Sequence, residues 1–221
     1  MTMTIKIREP GSALTHFAGI LLTAAAAVPL LVLALLSGDG RVTAAAGIFA
    51  ASMLLLYTAS TIYHAVNAEG RVLRIFRKID HMMIFVLIAG SYTPFCMLVL
   101  EGKKSHVMLT AVWALAAAGI LTKGIWITCP KWFSSVIYIM MGWICVFVFG
   151  DLMRLLPPAV FYWLLAGGII YTVGGVIYAC RLPLFPQKPC FGNHELFHLF
   201  VLAGSLCHFV AMFDLLRCFV L

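Results

Sequence analysis

The sequence predicts an all-α membrane protein built as a bundle of seven transmembrane helices. Of its 221 residues, 63% are hydrophobic and only 10% are charged, whereas soluble domains are about 45–50% apolar. Charge-free segments recur along the whole chain, and each is close to the ~20 residues that a helix needs to cross a bilayer. Only short loops separate these segments, so we predict a single transmembrane domain over residues 1–221.

Charged residues interrupt the apolar segments and set the limits of the predicted helices. The first segment follows a polar tail with Lys6 and Arg8. It is much longer than the apolar region of a signal peptide, about 7–15 residues, so we expect an uncleaved helix. The sixth contains two pairs of glycines, which let membrane helices approach closely. The predicted spans are 14–36, 42–64, 80–100, 106–126, 132–150, 157–179 and 194–216.

The distribution of basic residues predicts the orientation of the bundle. With seven crossings, ten of the 15 Lys and Arg residues fall on the side of the N-terminus and five on the other. An excess of Lys and Arg marks the cytoplasmic face, so we expect the N-terminus inside and the C-terminus outside. The same bias accounts for the net charge of +7, and we predict no nucleic-acid partner.

A metal-binding pattern opens the last predicted span. The string H-E-L-F-H contains His194, Glu195 and His198. On a helix, residues four apart lie ~40° and ~6 Å from each other on one face, so these two imidazoles can hold one metal ion. His64 ends the second span and Asp80 begins the third. The predicted topology therefore brings these side chains to the same end of the bundle.

The ligand count at this end is typical of zinc enzymes. Three histidines with one open position form a catalytic zinc site, in which the metal lowers the pKa of a water molecule towards ~7. A carboxylate that hydrogen-bonds this water could act as general base. Ser60 lies one turn before His64 on the same face, roughly 6 Å deeper in the bilayer. Such polar groups need partners inside the bundle, which a metal site would supply.

Other interpretations of these residues remain open. The same H-E-x-x-H string marks zinc metallopeptidases, in which the glutamate would be the base. We favour a role for Glu195 in the first turn of a helix, where it complements the helix dipole. His208 lies ~15 Å along the helix from His198, too far for the same ion, and we expect it to make a core hydrogen bond. His16 begins the first helix and could either reach the metal site as a supporting partner of its ligands or face the lipid headgroups, and we favour the headgroups.

Several strings across the chain resemble those of a known family, the hemolysin III branch of the progestin and adipoQ receptor superfamily, which includes the adiponectin receptors. They keep the order and spacing of that family over nearly the whole chain. The strings are E-P-G-S-A-L-T-H at 9–16, S-T-I-Y-H at 60–64, R-K-I-D-H at 77–81, A-G-S-Y-T-P-F at 89–95, H-E-L-F-H at 194–198 and G-S-L-C-H-F at 204–209.

The resemblance implies a fold and a set of site residues. It implies seven helices with the N-terminus in the cytoplasm, and zinc held by the matching His64, His194 and His198. By the same resemblance, Asp80 orients the water that zinc activates and Ser60 lines the site. The roles of the remaining polar residues stay open.

The resemblance also implies a function. The chain lacks the long N-terminal region of the eukaryotic receptors, so it is similar to the bacterial branch, and we expect a multi-pass protein of a bacterial inner membrane. Receptor relatives are linked to ceramide-type amide hydrolysis, and bacterial members to membrane-lipid homeostasis or, by name, to cytolysis. We predict a zinc-dependent hydrolase of lipid amide or ester bonds, with a membrane lipid as substrate or ligand. The alternative is a non-enzymatic, zinc-stabilised homeostasis or sensing protein, or a cytolysin.

Overall fold

A computed structural model describes residues 7–182 and 191–220 of the chain. Within these ranges every assigned element is a helix, and seven helical stretches are long and apolar enough to cross a membrane. The predicted seven-helix bundle is thereby confirmed. The helices are α1 (Pro10–Leu36), α2 (Gly40–Ala65), α3 (Gly70–Leu98), α4 (Gly102–Ile125), α5 (Lys131–Gly142), a 3-10 segment (Trp143–Val148), α6 (Phe149–Leu155), α7 (Pro158–Cys180) and α8 (Asn193–Arg217).

The helix limits extend beyond the charge-free segments. α3 begins at Gly70 rather than near residue 80, and its first turns carry Arg71, Arg74 and Arg77. Basic residues have high helix propensity, and a helix that projects past the hydrocarbon core can expose them to water. A search for charge-free runs therefore detects the buried part of a membrane helix and misses its interfacial turns.

The fifth crossing, Lys131–Leu155, changes its helix type midway. The tighter 3-10 segment leaves backbone groups to be satisfied, and inside a bilayer the protein itself must supply their partners. Tyr92 of α3 does so, because its hydroxyl donates to the Gly142 carbonyl at 2.5 Å and accepts from the Cys145 N–H at 2.9 Å. The residues at the start of this 3-10 segment also form part of the wall of a cavity inside the bundle, called here the central cavity.

Sequential helices pack against one another around the bundle. α1 lies on α2 and α8, α2 on α3, α3 on α4, and α7 on α8 and α5. Small residues permit the closest of these contacts. A Cβ atom at Gly90 would overlap Ser52 of α2, and one at Gly174 would overlap Phe200 of α8. The packing brings the start of α1, the end of α2 and the start of α8 together at one end of the bundle, called here the N-terminal end.

Candidate metal centre

Three histidines from two helices converge at the N-terminal end of the bundle. His64 lies in the last turn of α2, and His194 and His198 lie in the first two turns of α8. One ring nitrogen of each lies within 4.8 Å of the others, and the Nε2 atoms of His64 and His194 are 3.1 Å apart. His64 is 1% exposed and His198 is 2% exposed. The cluster could therefore hold one metal ion away from bulk water.

The protonation of His64 is set by a carboxylate. Glu9, immediately before α1, accepts a hydrogen bond from Nδ1 of His64. An ionised carboxylate only accepts, so Nδ1 carries the proton and Nε2 presents a lone pair to the cluster. The hydrogen bond with His64 holds the pKa of the Glu9 carboxyl below its ordinary value, although partial burial acts in the opposite direction. A carboxylate behind a histidine in this way is the usual support of a metal ligand.

A hydroxyl group sets the protonation of His198. The Thr15 hydroxyl donates its proton to the Ser12 carbonyl at 2.9 Å. Its oxygen lies 3.0 Å from Nδ1 of His198 and can therefore only accept from that nitrogen. Nδ1 of His198 is thus protonated, and its Nε2 also presents a lone pair. Two of the three imidazoles are held in the tautomer that a metal ligand requires.

The first turn of α1 is also bonded to the first turn of α8, beside the cluster. The Ser12 hydroxyl donates to Oε1 of Glu195, and Glu195 also accepts from the Gly192 N–H at 2.8 Å through Oε2. Both carboxylate oxygens of Glu195 are therefore engaged in capping α8 and joining it to α1. This arrangement agrees with a first-turn role for Glu195 better than with that of a peptidase base.

His16 is the residue that sequence reasoning misplaced. The prediction that it faces the headgroups is wrong, because it is 3% exposed and its ring stacks on that of His198 with centroids 3.6 Å apart. Both of its ring nitrogens lack a hydrogen-bond partner within the described part of the chain. The signal that could have found it is the spacing of polar residues in α1. Glu9, Ser12 and His16 follow one another at three and four residues, which places them on one helical face.

Asp80 and Ser60 line the same cavity as the cluster. This cavity, of about 160 Å³, lies between α2, α3, α5, α7 and α8, and His194 and His198 form part of its wall. Asp80 is 7% exposed, and its carboxylate lies 3.3 Å from Nδ1 of His81. The hydroxyl of Ser60 is 1% exposed and has no hydrogen-bond partner among the described residues. It is therefore available to a molecule inside the cavity.

His208 lies deeper in the bundle. It lines the central cavity and a second, more apolar cavity that adjoins it, and both cavities also contact Ser91, Tyr92 and Trp143. Nδ1 of His208 is buried without a partner among the residues that the structure describes. It belongs to the wall of the cavity and not to the metal cluster, in agreement with the helical distance from His198.

Replacing Thr15 with valine should weaken metal binding about 10- to 100-fold, the usual cost of losing the group that orients a histidine ligand. The change preserves shape and removes only the oxygen that accepts from His198. Affinity is measured on purified protein by competition with a chromophoric zinc chelator. Thr122→Val is the matched control, since the Thr122 hydroxyl bonds only to its own helix, at the Ala118 carbonyl. Equal affinities in all three proteins would contradict the assignment of Thr15.

Comparison with known proteins matches most of the chain to one family. The family model described as "Haemolysin-III related" matches residues 4–209. "Hemolysin-3" of Bacillus cereus is 35% identical over 209 residues, covering 95% of this chain and 91% of the relative. "Hemolysin-3 homolog" of Bacillus subtilis (strain 168) is 37% identical over 206 residues, covering 93% of this chain and 92% of the relative.

A more distant relative extends the comparison to the receptors. "Progestin and adipoQ receptor-like protein 1" of Caenorhabditis elegans is 26% identical over 194 residues, which cover 76% of this chain and 42% of the relative. The seven apolar helices and the two Bacillus relatives together identify a multi-pass integral membrane protein. The chain therefore belongs to the haemolysin-III related family, whose distant relatives are receptor-like proteins of the adiponectin and progestin type.

Proposed function

We propose that this protein is a zinc-dependent hydrolase of amide or ester bonds in membrane lipids, with a role in lipid homeostasis of a bacterial inner membrane. The observation that carries the proposal is the meeting of three kinds of group in one cavity. His194 and His198 of the three-imidazole cluster, the Asp80 carboxylate and the Ser60 hydroxyl, which has no hydrogen-bond partner among the described residues, all line it. Hydrolases of this class need a metal, a base and a hydrogen-bond donor to the substrate.

The donor set fits zinc and disfavours magnesium and calcium. Three neutral imidazoles suit zinc, copper, iron or nickel, whereas magnesium and calcium prefer oxygen ligands. Zinc–imidazole bonds of about 2.0–2.1 Å around a tetrahedral centre leave the ligand nitrogens about 3.3 Å apart. The observed separation between Nε2 of His64 and Nε2 of His194, 3.1 Å, supports such a site. When bound, zinc supplies a Lewis acid that lowers the pKa of water and polarises a carbonyl group.

The chain's own groups supply the remaining steps. Asp80 is positioned as the general base, because its buried carboxylate faces the cavity and can accept a proton from water. Nδ1 of His81, which donates to the Arg77 carbonyl at 2.9 Å, lies 3.3 Å from this carboxylate. The Ser60 hydroxyl can donate a hydrogen bond to the carbonyl oxygen of the substrate. In this assignment Glu195 takes no part in proton transfer.

The walls of the cavity favour a lipid substrate. Beyond the polar groups they are formed mainly by aliphatic and aromatic side chains, among them Leu56, Ile84, Leu87, Phe197 and Val201. A chain of methylene groups gains about 0.8 kcal/mol for each CH₂ that it buries against such a surface. The basic residues in the first turns of α3 support placing this end of the bundle in the cytoplasm, so the lipid would come from the inner leaflet.

Metal removal tests the proposal directly. The purified protein is reconstituted with a panel of ceramide-type amides and ester lipids, and release of fatty acid is measured by mass spectrometry. Treatment with a strong zinc chelator should abolish release, and added zinc should restore it. Release that survives complete loss of the metal would contradict a metal-dependent hydrolase. Stoichiometric zinc without turnover of any lipid would contradict the enzyme and favour a structural metal.

A structural role is the second candidate, and one observation favours it. Glu9 and Thr15 join α1 to the histidines of α2 and α8, so a metal at the cluster would tie these three helices together. Under this alternative the protein is a zinc-stabilised homeostasis or sensing protein without turnover. Metal removal should then lower the thermal stability of the bundle and leave no enzymatic rate to lose.

A further inference from the structure

A second polar cluster lies at the end of α4, apart from the histidines. Lys123 is 2% exposed, and its ammonium group donates to the Ser134 hydroxyl at 2.5 Å and to Sγ of Cys129 at 3.0 Å. Among residues 7–182 and 191–220, no carboxylate forms an ion pair with it. A buried charge without a counter-charge is costly, and an ionisable group inside a membrane protein usually marks a functional site.

This cluster borders the central cavity. Cys129 and Ser134 line it, and so do two further cations, Arg77 and Lys131. Asp80 is the only acidic residue among the described groups that line this cavity. Lys123 does not line the cavity itself but bonds to Cys129 and Ser134, which do. Two cations in the wall, backed by Lys123, therefore stand against one carboxylate, and the excess positive charge favours an anionic occupant.

The Ser134 hydroxyl is arranged to donate into this space. It accepts from the ammonium of Lys123, so its own proton must go elsewhere. Its nearest acceptors in the protein are weak or distant, namely Sγ of Cys129 at 3.3 Å and the Pro130 carbonyl at 3.5 Å. An anion in the cavity would offer a better acceptor, and a hydrogen bond to a charged group is the stronger kind.

The Cys129 thiol lies close to the same positive charges. Burial raises its pKa, but the hydrogen bonds from Ser134 and Lys123 and the charge of Lys123 outweigh burial and lower the pKa overall. Negative charge is thus stabilised at the position where the cluster meets the cavity.

We propose that Ser134, Arg77 and Lys131, with Lys123 bonded to Ser134 behind the cavity wall, form a basic cluster that binds the phosphate of an anionic phospholipid whose acyl chains occupy the apolar part of the cavity. Basic pockets between membrane helices bind anionic headgroups in this way. Several donors suit a phosphate, which has several acceptor oxygens, better than a single carboxylate. The apolar remainder of the cavity requires an attached hydrocarbon chain, which free phosphate lacks.

The inference rests on the proposed function and names its substrate class. Arg77 lies three residues before Asp80, one turn along the same face of α3. A phospholipid held by its phosphate at this position would bring its ester linkages towards Asp80 and the histidine cluster. The lipid that the enzyme hydrolyses is therefore an anionic glycerophospholipid.

Binding of uncleavable lipids tests this assignment without any turnover. Ether-linked short-chain phosphatidylglycerol and phosphatidylcholine are titrated separately into the purified protein, and affinity is measured by isothermal titration calorimetry. The wild-type protein should bind phosphatidylglycerol about tenfold or more tightly than phosphatidylcholine. Lys123→Met should remove most of this preference. Lys103→Met, an exposed lysine near the start of the same helix, is the matched control and should retain it.

Each outcome of this experiment bears on the proposal. Equal affinity for the two lipids in the wild type, or full preference in Lys123→Met, would overturn it. Inorganic phosphate that binds as tightly as phosphatidylglycerol would show a site for free anions and would also overturn it. If Lys123→Met does not fold, Ser134→Ala and Arg77→Gln carry the test, and the preference must fall in both. Because ether lipids are not cleaved, absence of hydrolysis leaves these results unaffected.

Discussion

Replacing Asp80 with asparagine should leave the metal bound and lower the rate of lipid hydrolysis by about two to four orders of magnitude. This is the usual contribution of a general base. Asparagine has nearly the shape of aspartate but cannot take up a proton in this pH range, so the cavity is preserved while the base is lost. The measurement pairs elemental analysis of zinc with kcat for fatty-acid release from reconstituted protein.

Two further variants make this result specific. Asp214→Asn applies the same change to a carboxylate near the end of α8, where its partner is Arg217 at 3.9 Å, and it should keep both zinc and activity. Glu195→Gln addresses the peptidase-like alternative. If Glu195→Gln has a strongly reduced kcat while Asp80→Asn keeps the kcat of the wild type, the assignment of Asp80 as base is wrong. Loss of zinc in Asp80→Asn would show instead that Asp80 supports the metal.

The fold could be predicted from the sequence because the bilayer imposes a simple rule. Every backbone group in the hydrocarbon must be bonded within its own segment, so a charge-free segment of sufficient length becomes a helix. The rule ends at the interface, where water can satisfy polar groups. For this reason the start of α3 at Gly70 was not predictable from hydropathy. The 3-10 segment Trp143–Val148 lies inside a crossing and depends instead on its contact with Tyr92 of the neighbouring α3.

The histidine cluster could be predicted from the sequence for a different reason. His194 and His198 share a helical face by their spacing, and seven alternating crossings place the end of α2 and the start of α8 at the same end of the bundle. The packing of the helices then brings His64 to them, and Asp80 and Ser60 line the adjoining cavity. Topology thus predicted the end of the bundle at which the candidate metal ligands lie, and packing completed the cluster.

The supporting residues required more than topology. Whether Thr15 and His16 face the cluster or the lipid depends on the rotation of α1 about its axis, which a single sequence constrains weakly. The polar spacing within E-P-G-S-A-L-T-H was the available signal, and it indicates an inward face because polar side chains in membrane helices usually face the bundle interior. The contact of Glu9 with His64 depends further on the path of the chain before α1, which the backbone bonds from Arg8 and Glu9 to the end of α2 define.

Removal of one imidazole should nearly abolish metal binding. In His194→Ala we expect the zinc affinity to fall by more than about 100-fold, because one of only three protein ligands is lost from a site whose binding energy is of order 10 kcal/mol. His194 is the cleanest position for this change. Its Nδ1 has no partner within the described chain, so the substitution disturbs the contacts inside the cluster and little else. His64→Ala should show the same loss with an additional decrease in stability, since it also removes the hydrogen bond between His64 and Glu9 and leaves Glu9 paired only with Arg8.

The matched control for this loss is His106→Ala, which removes an exposed histidine near the start of α4, at the opposite end of the bundle from the cluster. It should retain the full zinc content by elemental analysis after purification without chelator. Thermal unfolding of each variant, with and without added zinc, separates the loss of a metal ligand in His64→Ala from the loss of its hydrogen bond with Glu9. A ligand that binds only the folded state stabilises it by RT ln(1 + [L]/Kd), so added zinc should raise the melting temperature only of the wild type and of His106→Ala, which keep high affinity for the metal. Equal zinc content in His194→Ala and the wild type would place the metal elsewhere and remove the basis for a hydrolytic site at this end of the bundle.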